Sequence, residues 1–172
     1  MAGKKGRFVG LASAVMGDLG VAVTPMATAD VYSGLEKGLI DFADRGDLTA
    51  NYEAGLGEVA KYIILPGVHQ PTTATSYVAN QAAYQGLPDA YKAALAVAAR
   101  EISGSLRQHI IVQNTEVLKK YKEQEVEIIR LDDSDVATTR VKAVESWKKA
   151  TKGDDLANRV VAGQIDFMTS LG

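Results

Sequence analysis

One stretch decides the fold of this chain: residues 88–123, PDAYKAALAVAAREISGSLRQHIIVQNTEVLKKYKE. Its apolar positions recur at helical spacing, and a proline is well tolerated in the first turn of a helix. These positions are Tyr91, Leu95, Ala98, Ile102, Leu106, Ile110, Val117, Leu118 and Tyr121. A helix of this length spans roughly 50 Å, which is longer than a compact domain of 172 residues is wide. We therefore expect the helix either to be broken or to reach beyond one lobe.

Short apolar segments lie on both sides of this helix and predict strands. The predicted strands are residues 7–11, 21–23, 39–43 and 62–65 before the helix, and 126–131 after it. Predicted helices separate the earlier strands, at residues 12–19, from Thr28 to Gly38, and at 48–60. Residues 72–80 have moderate β-character. Because strands alternate with helices, the pattern predicts an α/β fold with a partly parallel sheet.

Two further helices are predicted at the end of the chain. Asp132, Asp133 and Asp135 form an acidic cluster that suits a helix start, followed by a helix at 136–151. Gly153 interrupts the pattern, and Asp154 or Asp155 then caps a last helix that ends near residue 171.

Composition excludes several classes of function. The chain has 47% hydrophobic and 23% charged residues, as in a soluble globular protein, and its net charge of −2 gives no reason to expect nucleic acid or an anionic membrane as a partner. With no cysteine, disulfides and thiolate chemistry are excluded. No segment is apolar enough for membrane insertion, and residues 1–10 lack the apolar core of a secretion signal. We expect a cytoplasmic protein, or an exported one whose signal preceded this segment.

Candidate catalytic residues are few, and the chain is predicted not to be an enzyme. His69 follows a Pro-Gly turn and His109 lies inside the long helix, so neither has a predicted nucleophile beside it. The serine-nucleophile, phosphate-binding and zinc-protease motifs are absent from the sequence. A structural, hydrogen-bonding role is the simpler interpretation of His69.

Two charged residues next to predicted strands are candidates for ligand binding. Asp44 follows an apolar strand, and ligand groups in open α/β sheets gather beyond the carboxyl ends of strands. Arg7 begins another predicted strand, and a guanidinium can pair a carboxylate through two parallel hydrogen bonds. On spacing alone, an exposed arginine at a strand start is the simpler interpretation of Arg7.

Several motifs resemble one known family. They are GKKGRFV at 3–9, DVYSGLEKGLID at 30–41, VAKY at 59–62, PGVHQP at 66–71, and the set Asn80, Tyr84 and Leu87-Pro88. Their order and spacing resemble the C-terminal half of the solute-binding proteins of tripartite ATP-independent periplasmic (TRAP) transporters, of the DctP type. The Pro-Gly-x-His segment is most similar to the branch that binds 2-oxo acids.

The resemblance implies a binding function and names the residues that carry it. Such proteins are two-lobed clamps that close on a small organic acid, so Arg7 is expected to pair the ligand carboxylate. Asp44 matches a glutamate that helps to hold a cation, which implies a sodium or divalent ion here. Arg45 matches a tryptophan of that branch and would add a positive charge to the site. Arg7→Ala is then expected to remove binding without unfolding the protein.

The resemblance also implies an incomplete clamp, because the family members are roughly twice as long. Residues 1–172 are interpreted as one truncated domain, half of a two-lobed periplasmic-binding-protein fold with a mixed sheet. Its lobe core is 1–87 with 124–131, its long helix is 88–123, and its terminal helices are 133–172. The resemblance implies a periplasmic location, and the expected partners are TRAP membrane subunits and a second copy of the chain covering the exposed cleft face. The alternative is an oligomeric structural or interaction protein that has lost solute binding.

Overall fold

A computed structural model describes residues 2–69 and 76–171 of the chain. The strands of this part are β1 (Lys5–Arg7), β2 (Ala22–Val23), β3 (Phe42–Ala43), β4 (Tyr62–Leu65) and β5 (Glu127–Arg130). The first helices are α1 (Gly10–Asp18), a 3-10 turn (Thr28–Asp30), α2 (Val31–Glu36), α3 (Leu48–Glu53) and α4 (Leu56–Val59). The later helices are α5 (Gln81–Gln85), α6 (Asp89–Glu123), α7 (Asp133–Ala150) and α8 (Asp155–Ser170).

The strands form two small sheets, one in the order β2-β1-β3 and the other pairing β4 with β5. Every strand pair within the described ranges is parallel, and Arg7 of β1 lies opposite Ala43 of β3. This arrangement confirms the α/β fold with one long helix. The strands form two sheets, whereas the sequence predicted one. Because β1 and β3 are parallel, their carboxyl ends meet at one edge, which brings Arg7 close to the residue after β3.

Three separate apolar clusters hold the elements together. One joins β1 to α1 through Phe8, Met16 and Val21. A second lies around α2 and α4, and a third joins the end of α6 to β5. The buried members of the second cluster are Val31, Ile40 and Leu56, and those of the third are Val117, Tyr121 and Val126. Burying apolar side chains in this way supplies the main favourable term of folding.

The long helix α6 runs unbroken for 35 residues. Only its last third packs against α3: the Tyr121 hydroxyl donates to the carbonyl of Leu48 at 3.1 Å, and Asn114 Oδ1 accepts from the Thr49 amide and hydroxyl. The rest, as far as Val112, is largely exposed and carries apolar side chains such as Leu95, which is 51% exposed. The helix is therefore continuous, and the alternative of a broken helix is wrong.

Local backbone geometry explains where the sequence-based boundaries were wrong. Residues 48–60 form two helices instead of one, because Gly55 adopts the left-handed conformation with φ 73° between them. The first strand ends at Arg7 instead of beginning there, and α1 starts at Gly10. The short helix α5 was not expected. Of the predicted β-segment 72–80, residues 76–80 have no regular structure, and 72–75 lie outside the described residues.

Both helix starts predicted near the end of the chain are confirmed. The Asp132 side chain accepts a hydrogen bond from the Asp135 amide, and Asp154 accepts one from Ala157, so each aspartate satisfies an otherwise unpaired donor. Helix α7 then packs against α1. None of the helices in the described ranges combines the length and apolar character needed to cross a membrane.

Candidate ligand-binding site

Arg7 is a buried cation at the carboxyl end of β1. Its side chain donates from Nε to the Met26 carbonyl at 3.0 Å, from Nη1 to the Asp44 carbonyl at 2.6 Å, and from Nη2 to Thr28 Oγ1 at 3.1 Å. The residue is only 4% exposed. A buried charge is costly unless it is hydrogen-bonded, and these contacts satisfy all three nitrogens. Arg7 is therefore not the exposed arginine that its position in the sequence suggested.

The structure brings together Arg7 and Asp44, two of the three candidate ligand-binding residues. The Asp44 amide donates to the Arg7 carbonyl at 3.0 Å, while the Arg7 guanidinium donates to the Asp44 carbonyl. The main-chain bond continues the β1–β3 pairing by one residue, and the side-chain bond adds a second link. They fix the main chain of Asp44 beside Arg7 and leave its carboxylate available for another partner.

That partner is His69, from the loop that follows β4. Its Nε2 lies 3.1 Å from Asp44 Oδ1, and its ring meets the edge of Phe8 with centroids 5.3 Å apart. The hydrogen bond from His69 lowers the pKa of Asp44 below 3.8; burial opposes this effect, and the charges of His69 and Arg7 add to it. An ionised carboxylate only accepts hydrogen bonds, so Nε2 carries the proton that lies between the two groups.

Arg45 is placed differently from Arg7 and Asp44. Its Nη1 donates to the Ala50 carbonyl in α3 at 2.8 Å. Among the hydrogen bonds and ion pairs within 2–69 and 76–171, none joins Arg45 to the other two site residues. Of the three predicted residues, Arg7 and Asp44 therefore lie together, and Arg45 is directed to a neighbouring helix.

The residues present offer few ligands for a metal. Asp44 was the predicted metal-binding residue, but one of its oxygens already accepts from His69. No group of three acidic, histidine or cysteine side chains comes together within the part of the chain that the structure describes. Calcium takes six to eight oxygen ligands, so a cation bound here would need further oxygens beside the Asp44 carboxylate.

His69 was interpreted from the sequence as a structural, hydrogen-bonding residue, and its contact with Asp44 agrees with that interpretation. Its position after Pro66-Gly67 places it in a loop, but only the tertiary fold carries that loop from the second sheet to the edge of the first. Two surface depressions formed by the described residues lie away from Arg7, Asp44 and His69. They are lined by Arg140, Val141, Val144 and Glu145 on α7, and by Ile102, Ser105, Leu106 and His109 on α6.

Solved structures of known proteins share this fold. A TRAP transporter solute-binding protein from Bordetella bronchiseptica, crystallised with copurified calcium and picolinate, superposes with a TM-score of 0.87 at 23% identity, covering 98% of this chain and 50% of that one. A TRAP solute-binding protein from Pseudoalteromonas atlantica with bound sodium and pyruvate gives a TM-score of 0.81 at 22% identity, covering 99% and 54%.

Sequence comparison gives the family. A curated relative, the monocarboxylate 2-oxoacid-binding periplasmic protein of Nostoc sp., is 28% identical over 118 residues, which is 69% of this chain and 32% of the relative. The chain thus spans about a third of that relative's length and about half of the solved structures. Residues 2–154 match the family DctP, described as bacterial extracellular solute-binding protein, family 7. The chain therefore belongs to the DctP family of bacterial extracellular solute-binding proteins.

Proposed function

We propose that this chain binds a small organic acid by its carboxylate at the edge where β1 and β3 end. The observation that carries the proposal is the Arg7 guanidinium, buried and fixed there by three hydrogen bonds. A guanidinium has five N–H donors, so two remain after these three bonds, and its rigid fork matches a carboxylate. The carboxyl end of parallel strands is also where open α/β sheets bind their ligands.

The relatives support a class of ligand. The Nostoc protein is named for 2-oxo monocarboxylates, and the Pseudoalteromonas structure contains pyruvate. Other solved relatives hold β-D-galacturonate or D-glucuronate, which also carry a carboxylate. We take 2-oxo monocarboxylates as the first candidates. In this proposal the chain works in the periplasm as the receptor part of a TRAP transporter and delivers the acid to membrane subunits.

The affinity of the chain alone is expected to be low. The structural relatives carry about as much chain again. Binding sites normally enclose most of a small ligand, and a single wall buries less of it. A dissociation constant near 1 mM corresponds to only about 4 kcal/mol of binding free energy, which a single fixed guanidinium with a few neighbours can supply.

The proposal is tested by calorimetric titration and by thermal shift with pyruvate, longer 2-oxo acids and glucuronate. A ligand that binds only the folded state must raise the melting temperature. Asp44→Asn keeps the main-chain bonds to Arg7 and changes only the carboxylate, so it is the site variant; Asp166→Asn, on exposed α8, is its matched control. We expect millimolar binding whose dissociation constant changes in Asp44→Asn and stays the same in Asp166→Asn. Absence of any shift at high millimolar acid would reject solute binding by this chain.

A second candidate function is supported by the exposed face of α6. Between Tyr91 and Leu106 this helix presents a continuous apolar stripe, and Tyr91 is 64% exposed. The occupant we propose is a second copy of the chain, as in the oligomeric interaction protein that is the alternative to solute binding. Each stripe spans roughly 22 Å along the helix, so two of them would form the core of an interface, and neighbouring residues would have to supply the rest of the roughly 800 Å² per partner found in standard interfaces.

Light scattering on the purified chain distinguishes this candidate. Leu95→Glu puts a negative charge into the stripe. Gln108→Glu introduces the same charge outside the stripe, about 120° around the helix. A dimer at micromolar concentration that dissociates only in Leu95→Glu supports the interface. A monomer at every concentration rejects it.

A further inference from the structure

We infer that Thr28 determines specificity at this site: its hydroxyl selects acids that carry an oxygen on the carbon next to the carboxylate. The inference rests on the proposed binding function and narrows its class of ligand. The Thr28 hydroxyl accepts from the Arg7 guanidinium, whose other two hydrogen bonds within the described ranges go to main-chain carbonyls. Of these three partners, Thr28 is therefore the one whose chemistry a side chain decides.

The Thr28 hydroxyl has a hydrogen to donate. It accepts a hydrogen bond from Arg7 Nη2 at 3.1 Å, and within residues 2–69 and 76–171 it donates to no other protein group. A threonine hydroxyl combines one donor with two acceptor positions, so its O–H stays available after the bond to Arg7. Thr28 is exposed, whereas Arg7 beside it is buried. A ligand at this edge therefore meets an O–H donor as well as the guanidinium.

The spacing of the two donors suits an oxygen next to the carboxylate. Nη1 and Nη2 of Arg7 each use one hydrogen within the protein, so one N–H remains on each. The two hydrogens of Nη2 point about 120° apart, so a carboxylate oxygen on the second one lies roughly 5 Å from Thr28 Oγ1. That gap holds one further oxygen, bonded to Thr28 at about 2.8 Å. The 2-oxygen of a 2-oxo or 2-hydroxy acid is next to the carboxylate and fills this position.

The segment that carries Thr28 is fixed to β1 at alternate residues. The Thr24 amide donates to a carbonyl of β1 at 2.9 Å. Two and four residues later, the Met26 carbonyl and the Thr28 hydroxyl both accept from Arg7. The Met26 side chain packs against the apolar cluster around Val31. The hydroxyl is thus held in place before a ligand binds, and a donor that needs no further ordering contributes more to affinity.

Such a donor discriminates when a ligand lacks the matching oxygen. Propionate has the carboxylate and the three carbons of pyruvate but no 2-oxygen, so it leaves the Thr28 hydroxyl without its ligand contact. Binding sites reject an analogue when their own polar groups lose a partner. Because Thr28 is exposed, water recovers part of this loss. We therefore expect pyruvate to be preferred over propionate by a factor of about ten.

Titration of the wild-type chain with pyruvate and with propionate tests the inference. Amide chemical shifts in NMR spectra report millimolar dissociation constants, and sodium and calcium are present throughout so that a need for a cation does not affect the comparison. The constant for pyruvate should be lower by a factor of about ten or more. Equal constants overturn the inference and leave the proposed function standing, because both acids then bind by their carboxylates. No binding of either acid overturns both.

Variants of Thr28 then assign the preference to its hydroxyl. Thr28→Val keeps the shape and removes the O–H, so the preference should fall to about twofold or less; a change in Arg7 affects both acids and cancels in their ratio. Thr28→Ser keeps the hydroxyl and should keep most of the preference. Thr169→Val removes a threonine hydroxyl that bonds within α8, and as the matched control it should change neither constant. An undiminished preference in Thr28→Val contradicts the inference, and so does its loss in Thr28→Ser.

Discussion

Replacing Arg7 by alanine should weaken the fold as well as the site. The side chain links β1 to the segment before α2 through Met26 and Thr28, and to the end of β3 through Asp44. Alanine removes all three donors and leaves their acceptors in a partly buried space. The sequence-based expectation that Arg7→Ala removes binding without unfolding therefore does not fit these contacts.

The magnitude follows from the hydrogen bonds. A bond from a charged donor contributes about 1.5–3 kcal/mol, and water entering the vacated space recovers part of the loss. For the three bonds of Arg7 we expect a decrease of about 3–5 kcal/mol in the free energy of unfolding. Domains have only about 5–15 kcal/mol in total. In a domain of this size the melting temperature should fall by roughly 10 °C.

Urea denaturation followed by circular dichroism measures this loss. Arg45→Ala is the matched control, because the arginine side chain makes one hydrogen bond within the described ranges, to the Ala50 carbonyl. It should cost about 1 kcal/mol or less. If Arg7→Ala loses no more stability than Arg45→Ala, the argument that the guanidinium joins these segments is wrong.

Three further predictions concern pH and backbone geometry. Burial raises the pKa of Tyr121 to about 12. Its neutral hydroxyl should therefore contribute stability that is complete below about pH 10 and is lost as the pH rises towards 12. Urea midpoints measured at alkaline pH should fall less steeply in Tyr121→Phe than in the wild type. The pKa of Asp44 is lowered from 3.8 in the folded state, so its contribution is present above about pH 4 and lost as the pH falls through the folded pKa; Asp44→Asn should flatten that acid limb. Gly55→Ala should cost about 1–2 kcal/mol, because Gly55 has φ 73°, whereas Gly104→Ala, in the exposed middle of α6 with open space around it, should add up to about 1 kcal/mol in the same denaturation assay.

The sequence predicted best those features that depend on neighbouring residues. The spacing of apolar positions after Pro88 predicted α6, and the aspartates at 132 and 154 predicted the starts of α7 and α8. Each signal is local, since it depends on one helical repeat or on one side chain that caps the next turn. The strand β3 was predicted too long, because only two of its apolar residues pair with β1.

The site was predicted only in part, because its contacts are long-range. Arg7 and Asp44, both named by the resemblance, lie together in the structure, but the burial of Arg7 depends on carbonyls that reach it only after the sheet has formed. His69 lies in the loop that follows β4 of the second sheet, and the spacing of residues in the sequence does not identify its partner. Arg45 was expected to add charge to the site, whereas a carbonyl of α3 holds its guanidinium. The roles of Arg7, Asp44 and Arg45 in binding a ligand, and of Asp44 in binding a metal, stay predictions.

The packing of α7 on α1 has a consequence for how the chain is made. Ser146 donates to the Asp18 carboxylate at 2.9 Å, and Lys149 contacts the same oxygen, across 128 and 131 positions of sequence. At translation rates of about 5–20 residues per second, α1 waits on the order of ten seconds for this partner to be synthesised. During that interval the nascent helix α1 exposes the face that α7 later covers. Chaperones that bind apolar nascent chain should therefore protect this protein most strongly before residue 146 has emerged.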